Sequence, residues 1–155
     1  MAQAQTIRFG KAFILLSDME TSPTFTAPCG VENLTMTINI ESDTVAVPDC
    51  DDPDLAVWLL TDIVSKQMTL QGSGILDTTA MQTWQDWWLS DLPAQEVNIR
   101  FFRDISAGQG GGYFAAPAVL TAYEESAQRG GGTGSRWQNS FTIALQGKPV
   151  FTPAS

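Results

Sequence analysis

The chain has 155 residues, of which 43% are hydrophobic and 16% are charged, and its formal net charge is −9. This length and composition indicate one domain with its own core and argue against a disordered chain. Up to Ser65 the sequence has ten acidic and two basic residues. Such an excess of acid repels phosphate and disfavours binding along a nucleic-acid backbone.

The first predicted element is a strand from Thr6 to Leu16. Its apolar run, Ala12 to Leu16, is too short for the apolar segment of a signal peptide or for a membrane span. We therefore expect synthesis and function without membrane insertion or standard export. A loop at residues 21–23 and a short strand at residues 24–31 are predicted next.

Two stretches, residues 34–41 and 66–75, alternate apolar and polar residues without a break. Alternation with a period of two places every second side chain on the same side of a strand. We therefore expect one face to enter the core, namely Leu34, Met36, Ile38, Ile40, Met68 and Leu70. The opposite face carries hydroxyls, amides and one carboxylate: Thr35, Thr37, Asn39, Glu41, Gln67, Thr69, Gln71 and Ser73.

Residues 43–65 are predicted to form a long acidic connection, with a short helical piece beginning at Asp52 and Pro53. The run from Asp49 to Asp54 is rich in carboxylates, the ligand type that calcium prefers. Counted from Asp49, however, the sixth and twelfth positions hold Asp54 and Leu60, where the calcium helix-loop-helix motif needs Gly and Glu. A solvated acidic loop is the favoured interpretation.

A helix is predicted to begin at Asp77, whose side chain can cap the first turn, and to end before Pro93. Its apolar stripe contains Ala80, Trp84, Trp87 and Trp88 at helical spacing. The tryptophans suit either of two roles, a stripe packed on a sheet or a stacking platform for sugar rings. The core role is favoured, and it predicts that both Trp84 and Trp88 are largely buried.

Three more strands are predicted, at residues 96–103, 113–123 and 137–145, joined by glycine-rich connections at residues 108–112 and 130–134. Neither connection has the spacing or the Gly-Lys-Ser/Thr ending of a phosphate-binding loop, so both are interpreted as hairpin turns. Cys29 and Cys50 are expected to be two buried thiols in preference to a disulfide.

No residue pattern supports catalysis. The chain lacks histidine, and its lysines stand in no Ser-x-x-Lys frame that would activate a nucleophile. Cys29 and Cys50 form no Cys-x-x-Cys pair. We therefore expect a protein that is not an enzyme and that uses no metal and no cofactor.

The succession of elements resembles the major tail tube proteins of long-tailed bacteriophages. The residues that carry the resemblance are Glu41 to Thr44, Trp58 in the long connection, Leu70 to Gly74, Tyr113 to Ser126 and Ser140 to Gly147. They cover most of the chain in order and spacing. Type VI secretion tube proteins share the architecture.

The resemblance implies a single tail tube domain over residues 1–155, mainly β, built as an antiparallel β-sandwich or partial barrel with one flanking helix. It implies hexameric rings stacked into the hollow tube that conducts phage DNA during ejection, with residues 148–155 as an extended C-terminal tail. The implied location is the virion tail, after assembly in the host cytoplasm. The implied partners are further copies of the chain, tail terminator, tape measure and distal tail proteins, and DNA that passes without sticking.

In such a tube we expect the eight polar residues of the alternating stretches to line the lumen. Part of the long connection is expected to contact a neighbouring subunit or ring: Asp49, Asp51, Asp52, Asp54, Leu55, Trp58 and Leu59. Two other classes stay open, a carbohydrate-binding β-sandwich and another tail ring protein such as a terminator or connector.

Overall fold

The fold is known from a computed structural model, which describes residues 2, 4, 6–17, 25–91, 95–127, 129 and 136–155. Eight strands and one helix follow one another in these residues. They are β1 (Ala12–Ser17), β2 (Phe25–Thr26), β3 (Val31–Val47), β4 (Trp58–Ile75), α1 (Thr78–Leu89), β5 (Val97–Arg103), β6 (Gly112–Ala127), β7 (Trp137–Leu145) and β8 (Val150–Pro153). Among the described residues, no helix has the length and apolar character to cross a membrane.

All strands belong to one antiparallel sheet, in the order β2-β1-β5-β6-β7-β4-β3. The long strand β6 connects two parts of this sheet, one formed by β2, β1 and β5 and the other by β7, β4 and β3. Its first residues pair with β5 on one side and β8 on the other. From Ala118 onward it pairs with β7, with a bulge between Leu120 and Ala122. The sheet is not closed into a full barrel. The mainly β fold with one flanking helix is as predicted.

The core lies on one face of the sheet and draws on both of its parts. Its largest fully buried side chains are Leu16, Leu70, Ile99 and Ile143, together with Trp84 and Trp87 of the helix. Alternation explains this placement, because every second residue of β1, β4, β5 and β7 points to the same face.

Helix α1 begins as predicted, because the Asp77 side chain accepts hydrogen bonds from the amides of Thr79 and Ala80. Trp84 is 1% exposed and stacks on Tyr123 and Phe141 of the sheet, with ring centroids 5.8 Å and 4.6 Å away. The predicted burial of Trp88 is wrong: its side chain is 51% exposed.

The ends of the chain differ from expectation. Strand β1 begins only at Ala12, after a short 3-10 helix over Phe9–Lys11. Part of the predicted C-terminal tail is strand β8, which pairs with β6. The cysteines are free and both exposed, so the expectation of buried thiols is wrong. The predicted loop at residues 21–23, the helix stop at Pro93 and the glycines at 130–134 lie outside the described residues.

Candidate functional site

The predicted polar residues share one face of the β3–β4 hairpin. Thr35 lies opposite Gln71, Thr37 opposite Thr69 and Asn39 opposite Gln67. Residues that face each other directly in an antiparallel pair point to the same side. Two further members, Glu41 and Ser73, follow at alternate positions of the same strands. All eight therefore form one surface, which we call the polar face.

Hydrogen bonds and neighbouring strands extend the polar face beyond the predicted set. The Asn33 amide donates to Ser73 Oγ at 2.7 Å, and the Ser65 hydroxyl donates to Glu41 Oε2 at 3.3 Å. On β7, Ser140 lies opposite Ser73, and Thr142 lies opposite Gln71. Sequence reasoning missed these residues, although the alternation Ser140-Phe141-Thr142-Ile143 was the signal that could have found them.

The charge on the polar face is negative towards the end of the hairpin. Beyond Glu41, Asp43 lies directly opposite Asp62. Lys66 pairs with Ile40 and therefore lies on the other face. Like charges directly opposite each other destabilise a pair of strands. The repulsive pair of Asp43 and Asp62 therefore does not stabilise the hairpin.

The apolar face of the hairpin is only partly covered by the core. Leu34 and Met36 are partly buried against it, and Met68 is buried. Ile38 and Ile40, however, are 53% and 54% exposed, so their predicted entry into the core is wrong for the single chain. The reason is that β7 pairs with β4 only over Thr69–Ile75, and no described strand pairs with the hairpin beyond that point.

The hairpin continues as a two-stranded projection, which we call the arm: residues 38–47 and 58–67, joined by a tip loop of residues 48–57. The predicted connection over residues 43–65 is therefore wrong in form, because most of it is strand, and Trp58 and Leu59 are in β4 and not in a helix. The arm exposes large apolar side chains: Val45, Val47, Trp58, Leu59, Leu60, Ile63 and Val64. By register, Val45 and Leu60 lie on one face of the arm and Leu59 on the other. Extensive exposure of apolar side chains of this kind marks an interaction site.

The tip loop is ordered by its own aspartates. Asp49 Oδ1 accepts hydrogen bonds from the amides of Asp51 and Asp52, at 2.8 Å and 3.1 Å, and Asp52 Oδ1 accepts from the Asp54 amide at 3.2 Å. The bonds from the Asp52 and Asp51 amides lower the pKa of Asp49 below 3.8. The predicted acidic residues thus share one loop with the exposed Leu55.

The residues considered for sugar, phosphate or metal binding have other roles in the described structure. Two of the three helix tryptophans are buried in the core, which argues against the alternative of a stacking platform for sugar rings. Gly110 follows a 3-10 turn in a left-handed conformation, with φ of 87°, as a turn between strands requires. Within the described ranges, no three acidic or sulfur side chains converge as metal ligands.

Comparison with known proteins agrees with the fold. The model of the family described as phage tail tube protein matches residues 8–151. Among curated proteins, no sequence matches significantly.

Solved structures resemble the chain over nearly its whole length. The tail of an empty gene transfer agent particle with C6 symmetry matches with a TM-score of 0.66 at 19% identity, over 96% of this chain and 99% of that one. The SPP1 tail tube matches with 0.63 at 10% identity, over 96% and 80%. A sheath-tube complex of an extracellular contractile injection system, PVC, matches with 0.61 at 9% identity, over 96% and 93%. With the family match over residues 8–151, the chain belongs to the phage tail tube protein family, and its role is that of a structural tail tube protein.

Proposed function

We propose that six copies of the chain form a ring, that rings stack into the hollow tail tube of a virion, and that the polar face lines the channel for DNA. The observation that carries the proposal is the arm, whose apolar side chains have no cover within the described part of their own chain. The C6 symmetry of the gene transfer agent tail supports the number six.

The exposed area supports assembly. The chain exposes 10861 Å². A compact monomer of 16.8 kDa is expected to expose about 7,600 Å². The excess of about 3,200 Å² is comparable with the area that obligate interfaces bury.

The edges of the sheet supply a means of joining subunits. Strand β3 is the last strand at one end of the sheet order, and β2 is the last at the other. An unpaired edge as long as β3, with 17 residues, is a template for pairing with another chain. Head-to-tail contacts between two different surfaces close a ring when the rotation permits.

The chemistry of the polar face suits a channel through which DNA must slide. Hydroxyls and amides offer phosphates no fixed cation, and six copies of Glu41 would form a ring of carboxylates that repels the DNA backbone. The described basic residues do not interrupt this face on the hairpin, since Lys66 lies on the other side.

The proposed partners follow from the place in the particle. We expect other copies of the chain, a tail terminator, a tape measure protein and distal tail proteins, with assembly in the host cytoplasm and a structural, non-catalytic role. A tube-terminating cap of the anti-feeding prophage also has this fold, with a TM-score of 0.60. A terminator or connector is therefore the second candidate, and it would form one ring and no stack.

The lumen assignment is tested by placing lysines on the polar face. Thr37→Lys with Glu41→Lys should leave folding and tube formation intact but slow or block genome ejection, because rings of lysine attract phosphate. The effect should weaken as salt rises. Purified tubes should likewise retain short double-stranded DNA that wild-type tubes release.

The matched control places two lysines on exposed positions of helix α1, Gln82→Lys and Gln85→Lys. It adds positive charge outside the polar face, and we expect normal ejection. Normal ejection from tubes shown to contain the Thr37→Lys, Glu41→Lys double variant would mean that the polar face does not line the lumen.

A further inference from the structure

An aromatic surface with an arginine at its centre lies on the sheet face opposite the core. Phe102 of β5 stacks on Phe13 of β1 and lies against Tyr113 of β6, with ring centroids 5.3 Å and 4.8 Å away. The Arg100 guanidinium carbon lies 4.0 Å from the Phe25 ring centroid and 4.9 Å from that of Tyr113. We call these five residues the arginine face.

The arginine face offers a restrained positive charge that no carboxylate in the described part of the chain neutralises. In the described part of the chain, the single ion pair joins Lys11 to Asp104, so no described carboxylate pairs with Arg100. Contact with the faces of two rings restrains the guanidinium, while its N–H groups point outward in its plane.

The tip loop has the complementary composition. Asp51 and Asp54 are exposed, and no described hydrogen bond engages their side chains, unlike those of Asp49 and Asp52. Trp58, immediately after the loop, is 86% exposed. The tip thus presents carboxylates beside a large aromatic side chain, a combination that fits an arginine set among aromatic rings.

The two surfaces belong to opposite ends of the sheet order. The arm is formed by β3 and β4 at one end, whereas Arg100 is on β5, next to β1 and β2 at the other. A tip that binds the arginine face of a second copy therefore makes a head-to-tail contact that can repeat around a ring.

We propose that the acidic tip loop of one copy docks on the arginine face of a second copy, with Arg100 binding the carboxylates of Asp51 and Asp54. This inference rests on the proposed function for its setting, since it names the surfaces by which copies join. Charge-assisted hydrogen bonds of this kind supply both affinity and orientation.

Charge reversal tests the contact. One variant carries Arg100→Glu, and the other carries Asp51→Lys with Asp54→Lys. Each alone should raise the concentration needed for self-association at least about tenfold, because one charge-assisted hydrogen bond is worth about that factor or more. An equimolar mixture should associate nearly as well as wild type, because each variant's tip then matches the other's arginine face. Sedimentation velocity measures all three, with near-ultraviolet circular dichroism as the check on folding.

Two further variants separate the loss of the Arg100 charge from a general effect of charge reversal. Arg100→Gln removes the charge at similar length and should also weaken association, whereas Arg136→Glu reverses an exposed charge elsewhere and should not. Association of Arg100→Glu at wild-type concentrations, or a folded mixture that does not recover, would overturn the proposal. Loss of DNA binding in Arg100→Glu, with association unchanged, would assign the face to a phosphate backbone and overturn it equally.

The test of this contact and the test of the proposed tube function can give different outcomes. If wild type associates and the mixture recovers but electron micrographs show no tubes, the proposed function fails and the contact stands. If tubes form normally with Arg100→Glu, the contact fails and the tube function stands.

Discussion

A substitution at Trp58 should distinguish the folding of one chain from the assembly of several. Its side chain is 86% exposed at the base of the tip loop, so it contributes little packing within its own chain. Trp58→Ala should therefore change the free energy of unfolding of the monomer by less than about 1 kcal/mol.

The same substitution should be costly for assembly. A tryptophan side chain can bury about 150–250 Å², and at about 25 cal/mol per Å² the exposed part of Trp58 could contribute up to about 5 kcal/mol. Association costs offset part of this gain. We expect Trp58→Ala to weaken assembly by about 2–4 kcal/mol, which raises the concentration for tube growth roughly 30-fold to 900-fold.

Two measurements check this prediction, urea unfolding of the dilute monomer and light scattering over a concentration series. Trp88→Ala is the control, because Trp88 is another exposed tryptophan, at 51%, but lies on α1, outside the arm. We expect tube growth of the control at the wild-type concentration. Unchanged assembly of Trp58→Ala, or a loss of monomer stability as large as for a core residue, would refute the assignment of the arm to an interface.

Three predictions concern the monomer. Trp84→Ala should reduce the free energy of unfolding by about 3–5 kcal/mol in urea, as for a buried aromatic residue, and Trp88→Ala should cost clearly less; equal losses would contradict the described helix orientation. Gly74→Ala should lower the free energy of unfolding by about 1–3 kcal/mol, because a Cβ there would meet the backbone of Gly30 and Glu32. Gly108→Ala, with open space around the glycine, should leave stability unchanged, and thermal melts of both variants check this difference. The Thr79 hydroxyl holds the pKa of Asp77 below 3.8. The stability that this cap supplies is therefore present above pH 3.8 and is lost as pH falls through the lower, folded-state pKa. The difference in melting temperature between wild type and Asp77→Ala should shrink over that range, and a constant difference would argue against the cap.

Local patterns sufficed for much of the fold. Alternation predicted β7 with its observed bounds, and the hydrogen-bonding capacity of Asp77 predicted the start of α1. These features depend on neighbours a few residues away, so the sequence contains the necessary information. The polar face was predictable for the same reason, since its eight members follow from period two once the strands are known.

The arm was missed because its pattern is not that of a half-buried strand. Residues 45–47 and 58–60 are apolar at consecutive positions, and prolines and aspartates stand between them. Consecutive apolar residues are typical of strands that are covered on both faces. In this chain the cover would come from other copies, which a single sequence does not display.

The error on Trp88 has a different origin. Trp84, Trp87 and Trp88 all fit one broad apolar stripe, but the helix buries only Ala80, Trp84 and Trp87. Stacking of Trp84 on Tyr123 and Phe141 fixes the rotation of α1 and leaves Trp88 at the margin of the core. That rotation depends on β6 and β7, which are distant in sequence.

The most direct test of the central claim is cryo-electron microscopy of the concentrated, purified protein. The account predicts hollow tubes of stacked six-membered rings, with Thr37, Glu41 and Gln67 facing the channel and Trp58 buried against another copy. Monomers at high concentration, single rings that never stack, or tubes whose channel is lined by other residues while the polar face points outward would contradict it.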